Sequence, residues 1–286
     1  SLGDWFVDLK KISNGLPSLS EKIHKLGLQF GLWFEPEMIS KGTKLYEKHP
    51  EWLIGHPNKR ISHGRNQFVL DFSRKEVVDN IFNQMVEIIE STKIDYLKLD
   101  MNRYISEAFS TNEQMNKQGE LSHRYILGVY DLYDRIVSKY PEILVESCAG
   151  GGGRFDPALL YYAPQTWASD NTDAIERLKI QYGASMVYPL SSIGSHVSAV
   201  PNHQVARMTS LKMRAEVAFF GTFGYELDVT KLSEIEKKDI REQIIQFKSH
   251  QELIQQGDFY RLMSPFESNE VSWMVVSKDK SEALVG

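Results

Sequence analysis

Cysteine is almost missing from this 286-residue chain. Cys148 is the single copy, so no intramolecular disulfide can form, and a reducing compartment, the cytoplasm by default, is the expected location. Long apolar runs are missing as well. None approaches the roughly 18 to 20 residues that a membrane span requires, and no membrane partner is expected. The opening Ser1-Leu2-Gly3-Asp4-Trp5 has neither the basic-then-apolar pattern of a secretion signal nor an initiator Met, and reads as the start of an excised piece. Clusters of Lys and Arg interleaved with aromatics are also lacking. With a net charge of -5 and a pI near 5.9, that excludes the electrostatic footprint of a nucleic-acid binder and favours a neutral or small ligand. The 8 histidines form no H-x-H or H-E-x-x-H motif, and His196 and His203 lack the spacing of a zinc-binding helix pair, so no metal site is expected from them.

What remains is ordinary globular material, with 42% hydrophobic and 25% charged residues and a mean hydropathy of -0.35. The length suits one α/β barrel or two smaller domains. Short runs rich in β-formers alternate with stretches of helical period, the pattern of βα units around a parallel sheet, and about six such units can be counted. Strands are expected at residues 29–34, 96–100, 143–147, 166–170, 186–188 and 218–221. Helices are expected at 19–25, 77–91, 123–139, 174–182, 205–216 and 233–256, with Ser18 as the cap of the first and Gly27 as its stop. After Gln256 the character changes to short strands at 259–262, 271–276 and 282–285, the expected beginning of a small β domain. A closed (β/α)8 barrel needs eight units, so either the barrel is incomplete here or strands escape the pattern.

Barrel enzymes place their working groups where strands end, which directs attention to polar residues that close apolar runs. In Tyr96-Leu97-Lys98-Leu99-Asp100-Met101-Asn102-Arg103, alternation puts Lys98 and Asp100 on one side. A cation there would keep a nucleophilic carboxylate ionised, and a plain salt bridge is the alternative. Asp170 and Asp173 close the run at 166–170; Asp173 suits a helix N-cap and Asp170 suits the barrel mouth. Two carboxylates from different strands are the minimum equipment for glycoside hydrolysis. Trp33 offers either an apolar face to a sugar or a core aromatic. Glu35, before Pro36, is expected in extended geometry and either orients neighbours or joins the reacting pair. Arg65, in a polar loop, reaches a sugar hydroxyl or is simply solvated. Glu146-Ser147-Cys148-Ala149 runs into four glycines, Gly150 to Gly153, which allow close backbone approach to a ligand. A phosphate loop would need spaced glycines and a Lys-Ser/Thr ending that are missing here. No sequence argument supplies a His partner for Cys148, which reads as a site-lining or buried thiol.

These motifs, Lys98 to Arg103, Glu146-Ser147-Cys148 and Trp167-Ala168-Ser169-Asp170-Asn171-Thr172-Asp173-Ala174, resemble family 36 of the glycoside hydrolases, the α-galactosidases or melibiases. Gly3-Asp4-Trp5-Phe6-Val7, Gly31 to Glu37 and His49-Pro50-Glu51-Trp52 agree in the same order, so the resemblance covers nearly the whole chain. It implies a catalytic (β/α)8 TIM-type barrel over residues 1–256, about strands 3 to 8 of the eight, with the start of a C-terminal β-sheet domain at 257–286. It implies a retaining exo-α-galactosidase in which Asp100 is the nucleophile and Asp170 the acid and then the base, with the two carboxyls about 5 to 5.5 Å apart. Trp33, Arg65, Lys98, Cys148 and Gly151 match positions lining the galactose subsite. The implied substrates are terminal α-galactosides such as melibiose and raffinose-type oligosaccharides, with no metal or organic cofactor and a homo-oligomer in the full-length protein. The resemblance also implies an N-terminal β domain and two earlier barrel strands with an Asp-Asp-Gly-Trp motif, so the isolated piece is expected to be poorly stable or inactive. A galactosyl transferase of the raffinose-synthase kind and a non-catalytic sugar-binding fragment are the alternatives.

Overall fold

Gly31-Leu32-Trp33-Phe34 forms the first strand, β1 (Gly31–Phe34), and everything near it is arranged by where that strand finds partners. In the computed structural model, which describes residues 1–286, the chain divides into two compact units. The first comprises Ser1–Gly150 with Pro157–Ala163, and the second Gly151–Asp156 with Pro164–Gly286.

In the first unit, β1 pairs in parallel with β4 (Tyr96–Leu99), which pairs in parallel with β5 (Leu144–Ser147). The register sets Trp33 beside Lys98 and Lys98 beside Glu146, so these three residues, on three strands, share one row. Between β1 and β4 lie the antiparallel pair β2 (Met38–Ser40) and β3 (Gln67–Val69), the short helix α2 (Lys44–Lys48) between them, and the long helix α3 (Lys75–Thr92). The first helix, α1 (Gly15–Lys25), precedes β1. Val77, Ile81, Met85 and Ile89 recur every fourth residue of α3 and are all buried, which is why this sequence is helical and why one face of it packs on the sheet. Helix α4 (Leu121–Lys139) does the same with Leu121, Tyr125, Val129, Leu132 and Ile136. Helix α5 (Pro157–Tyr162) completes the unit. Phe34, Leu97, Leu99, Val145 and these helical stripes form one core.

In the second unit, β6 (Gln165–Thr166) meets the segment before β7 (Gly194–Ser198) through a parallel bridge from Thr166 to Ile193, and β7 pairs in parallel with β8 (Thr222–Glu226). Helices α6 (Ala174–Ala184) and α7 (Leu211–Phe219) stand between these strands, and α8 (Glu234–Gln256) follows β8. Ser233 starts α8 with a capping box, its hydroxyl accepting from the Glu236 N–H while the Glu236 side chain accepts from the Ser233 N–H. The chain then forms an antiparallel sheet of β9 (Asp258–Met263), β10 (Ser272–Val276) and β11 (Ala283–Val285), where short strands are expected from the sequence after Gln256. Ile193, Val197, Phe219, Phe247, Trp273 and Val275 form a second core.

Six parallel strands are present, β1, β4, β5, β6, β7 and β8, in line with the number of βα units read from the sequence. Several positions differ. Residues 186–188 are a turn that closes α6, with the Met186 N–H bonded to the Gly183 carbonyl, and Met186 and Val187 are exposed, which no central parallel strand tolerates. The strand lies further on, at β7. Residues 218–221 are the last two residues of α7 and the bend that leads into β8, because Ala215, Ala218 and Phe219 complete the buried stripe of that helix. Helix α7 itself starts at Leu211, capped by Ser210, rather than near 205. The run at 166–170 is strand only at Gln165–Thr166, so Asp170 lies beyond the strand end. The first helix begins at Gly15, ahead of Ser18, and Asn14 at its start makes no side-chain cap bond. The β2–β3 pair carries no alternating signal long enough to be read from sequence.

Candidate active site

The ends of the parallel strands β1, β4 and β5 gather Trp33, Lys98, Asp100 and Cys148. Asp100 follows β4 directly and is 8% exposed. Its Oδ2 accepts from Trp33 Nε1 at 3.1 Å and from Asn102 Nδ2 at 2.7 Å, and its Oδ1 from the N–H of Met101 at 2.8 Å and of Gly150 at 3.4 Å. Four N–H groups are thus aimed at this one carboxylate, two at each oxygen. They also hold it in one orientation at the mouth of the sheet.

Lys98 makes its direct contact with Glu146 on the adjacent strand, Nζ to Oε1 at 2.8 Å, while the Tyr96 hydroxyl donates to the other oxygen of the same carboxylate. Burial works to lower the Lys98 pKa, but the Glu146 carboxylate outweighs it and holds the ammonium above its ordinary value, with Cys148 and Asp100 adding to the effect. Lys98 therefore stays charged and lies within electrostatic reach of both Asp100 and Cys148, although Glu146, not Asp100, is its ion-pair partner. Cys148 is buried and in no disulfide, and its backbone N–H donates to the Leu99 carbonyl at 2.8 Å.

Trp33 is not a core aromatic. It is 44% exposed, rests edge-on against Trp5 with centroids 6.5 Å apart, and leaves much of its ring open beside Asp100. Glu35, two residues on, is 1% exposed and is held by Asn102 and Gln67, so it orients neighbours. Burial pushes its carboxyl above the usual range, with the Asp100 charge adding and the Asn102 N–H and Arg65 opposing. Arg65 and Asn66 have φ of 53° and 59° between the paired residues Gly64 and Gln67, the two positive central angles of a tight hairpin turn. That turn presents the exposed Arg65 at its tip, and its charge is felt by Glu35.

In the second unit, Gly151 has φ of +86°, and a Cβ there would lie 2.8 Å from the Asp170 nitrogen and 2.9 Å from the Ser169 Cα. Only glycine allows that approach. Asp170 is exposed, in the segment between β6 and α6. Asp173 caps α6 by accepting from the Glu176 N–H at 3.1 Å and pairs with Arg207, as a helix-capping carboxylate should. The two aspartates are thus distinguished: one is committed to structure and the other is open to solvent. Arg177, which sequence reading passed over, is 2% exposed, donates to the carbonyls of Ser169 and Gly194, and lies 4.6 Å from the Trp167 ring, bracing the segment that carries Asp170. Burial lowers its pKa to about 10. Its only sequence signal was helical spacing from Asp173. Asn102 and Glu146 stood in the quoted motifs, but their partners are residues distant in sequence.

No three His, Cys, Asp or Glu side chains converge as metal ligands would, and no helix is long and apolar enough to cross a membrane. The profile of the Melibiase family matches residues 1–257. Among curated proteins, the chain is 56% identical over 285 residues to alpha-galactosidase AgaA of Geobacillus stearothermophilus and 52% identical over 285 residues to alpha-galactosidase Mel36A of Lactobacillus acidophilus. In both cases all of this chain is covered, and it spans 39% of the relative's length. The crystal structure of the GH36 α-galactosidase AgaA superposes with a TM-score of 0.98, covering 100% of this chain and 40% of that one, and variants of AgaA have been crystallised with raffinose and with stachyose. The resemblance read from the motifs thus extends along the chain, and with a profile match of this length the chain belongs to the Melibiase family.

Proposed function

We propose that the protein carrying this chain is a retaining exo-α-galactosidase that hydrolyses terminal α-galactosides such as melibiose and the raffinose-type oligosaccharides. The observation that carries this reading is the Asp100 carboxylate, held at a strand end by Trp33, Asn102, Met101 and Gly150 in a chain of this family.

In the first step, Asp100 attacks the anomeric carbon while Asp170 donates a proton to the departing glycosidic oxygen, leaving a galactosyl ester on Asp100 and a free leaving alcohol. In the second step, the now ionised Asp170 takes a proton from water as the water oxygen attacks the same carbon, which releases galactose and restores both carboxyl groups. The exposure of Asp170 suits a group that water must reach, and the hydrogen bonds on Asp100 suit a carboxylate held in one orientation. Trp33, Arg65, Lys98, Cys148 and Gly151 are assigned to the galactose subsite, with Trp33 offering an apolar ring face and Lys98 a permanent charge. The raffinose and stachyose complexes of AgaA variants, proteins 56% identical to this chain, support that substrate class.

The parallel strands and their helices are assigned to a (β/α)8 barrel over residues 1–256 that lacks its first strands here, with β9 to β11 beginning a C-terminal β domain at 257–286. A single buried cysteine without a disulfide suits a cytoplasmic enzyme.

The test is hydrolysis of an aryl α-galactoside by the protein carrying this chain, comparing wild type with Asp100→Ala, with and without azide. Loss of activity and its return with azide, accompanied by a galactosyl azide of inverted configuration, supports the nucleophile and the retaining course. Activity undiminished in the variant would sink the assignment.

A further inference from the structure

Glu35 is a buried carboxylate without a cation in contact. It is 1% exposed, and both of its partners are neutral: Oε1 accepts from the Asn102 backbone N–H at 2.6 Å, and Oε2 from Gln67 Nε2 at 3.0 Å. A carboxylate placed this way costs stability relative to a neutral side chain of similar shape, so its presence calls for a use. The use is visible one bond further on. Asn102 lies just past the end of β4, where no ladder partner holds it, and its Nδ2 donates to Asp100 Oδ2 at 2.7 Å. With its backbone N–H held by Glu35, the Asn102 amide is aimed at the Asp100 carboxylate.

We propose that Glu35 is a positioning residue that sets the orientation of Asp100 through Asn102. The proposal rests on the reading of Asp100 as nucleophile. Glu35 touches neither substrate nor the reacting atoms; it fixes the turn from which the Asn102 amide reaches Oδ2, and so fixes the orientation of the Asp100 carboxylate. Gln67 supplies the means of testing this cleanly. Its Oε1 is buried without a hydrogen-bond partner, so in Glu35→Gln the Gln67 amide can turn over and accept from the introduced NH2 group, while the introduced carbonyl oxygen still accepts from Asn102.

The experiment compares Glu35→Ala, Glu35→Gln and Asn102→Ala, alone and with Asn102→Ala added to each Glu35 variant, in the protein carrying this chain, assayed on an aryl α-galactoside with folding checked by thermal unfolding. Glu35→Ala is expected to lower kcat about 30-fold or more with KM within about threefold, because a displaced nucleophile costs rate more than binding. Glu35→Gln, which keeps the acceptor, is expected to stay within about threefold of wild type, and Glu35→Ala is expected to add little once Asn102→Ala is present. A folded Glu35→Ala with wild-type kcat, a Glu35→Gln as impaired as the alanine variant, or full additivity with Asn102→Ala would each overturn the proposal. If Glu35→Ala does not fold, Asn102→Ala cuts the same route one step nearer Asp100, and an unaltered kcat there overturns it as well. Asp100→Ala with azide, run in parallel, separates the two claims: activity remaining in that variant removes the nucleophile reading, whereas azide rescue beside an unimpaired Glu35→Ala removes the positioning role alone.

Discussion

The Trp33 indole N–H donates to Asp100 Oδ2 at 3.1 Å, so the exposed ring near the end of β1 and the carboxylate that closes β4 form one unit. A hydrogen bond to a charged acceptor contributes about 1.5 to 3 kcal/mol, and the exposed ring is the sugar-binding face proposed above. Trp33→Phe keeps a face and removes the donor, and is expected to lower kcat/KM by about tenfold, with the larger part in kcat. Trp33→Ala removes both and is expected to raise KM in addition. Steady-state kinetics of the two variants on an aryl α-galactoside checks this.

Gly151→Ala places a methyl group 2.8 Å from the Asp170 nitrogen at a φ of +86°. Strain at such a position is worth about 1 to 3 kcal/mol, and the segment displaced is the one carrying the proposed acid/base. Activity is expected to fall together with stability. Gly183→Ala, inside α6 with open space around it, is the control and is expected to stabilise by about 0.5 to 1 kcal/mol with activity unchanged. Urea unfolding and initial rates distinguish the two sites.

Gly128 marks where α4 meets the chain following β3: a Cβ there would lie 1.8 Å from the Phe72 carbonyl oxygen. The helix cannot keep that distance with any side chain present. Gly128→Ala is expected to cost about 3 kcal/mol by forcing the two backbones apart, and to lower the urea midpoint accordingly.

Glu107 holds the loop after β4. Hydrogen bonds from Ser62 foremost, then from Ser106 and Arg103, hold its carboxyl down to about 2. The unfolded chain binds that proton more readily than the folded one, so the contribution to stability is fully present above the ordinary glutamate value of 4.5 and is lost as pH falls towards about 2. Glu107→Gln is therefore expected to be less stable than wild type at about pH 6 and to approach it below about pH 3. Unfolding curves for both proteins across that window test the sign.

Much of this protein lies open to a linear reading because it is governed by residues close in sequence. The stripes of α3 and α4, the Asp173 cap and the short strands after Gln256 are each settled within a few residues, and the structure has them close to where the local sequence puts them. The site motifs are likewise contiguous, so family and candidate carboxylates were legible as soon as Lys98 to Arg103 and Trp167 to Ala174 were read together. Misplaced strands show the limit of this. Residues 186–188 and 218–221 have the composition of strands, and only packing, which exposes Met186 and Val187 and buries Ala218 and Phe219 on a helix face, assigns the first to a turn and the second to the end of α7 and the bend after it. The same holds for the working contacts. Lys98 meets Glu146, Trp33 meets Asp100 and Glu35 meets Asn102 because parallel pairing sets three strand ends side by side, and no spacing along the chain encodes which carboxylate will take which donor. Local sequence determines which side chains a strand end offers; the register between strands, settled by burial of their apolar neighbours, decides what those side chains touch.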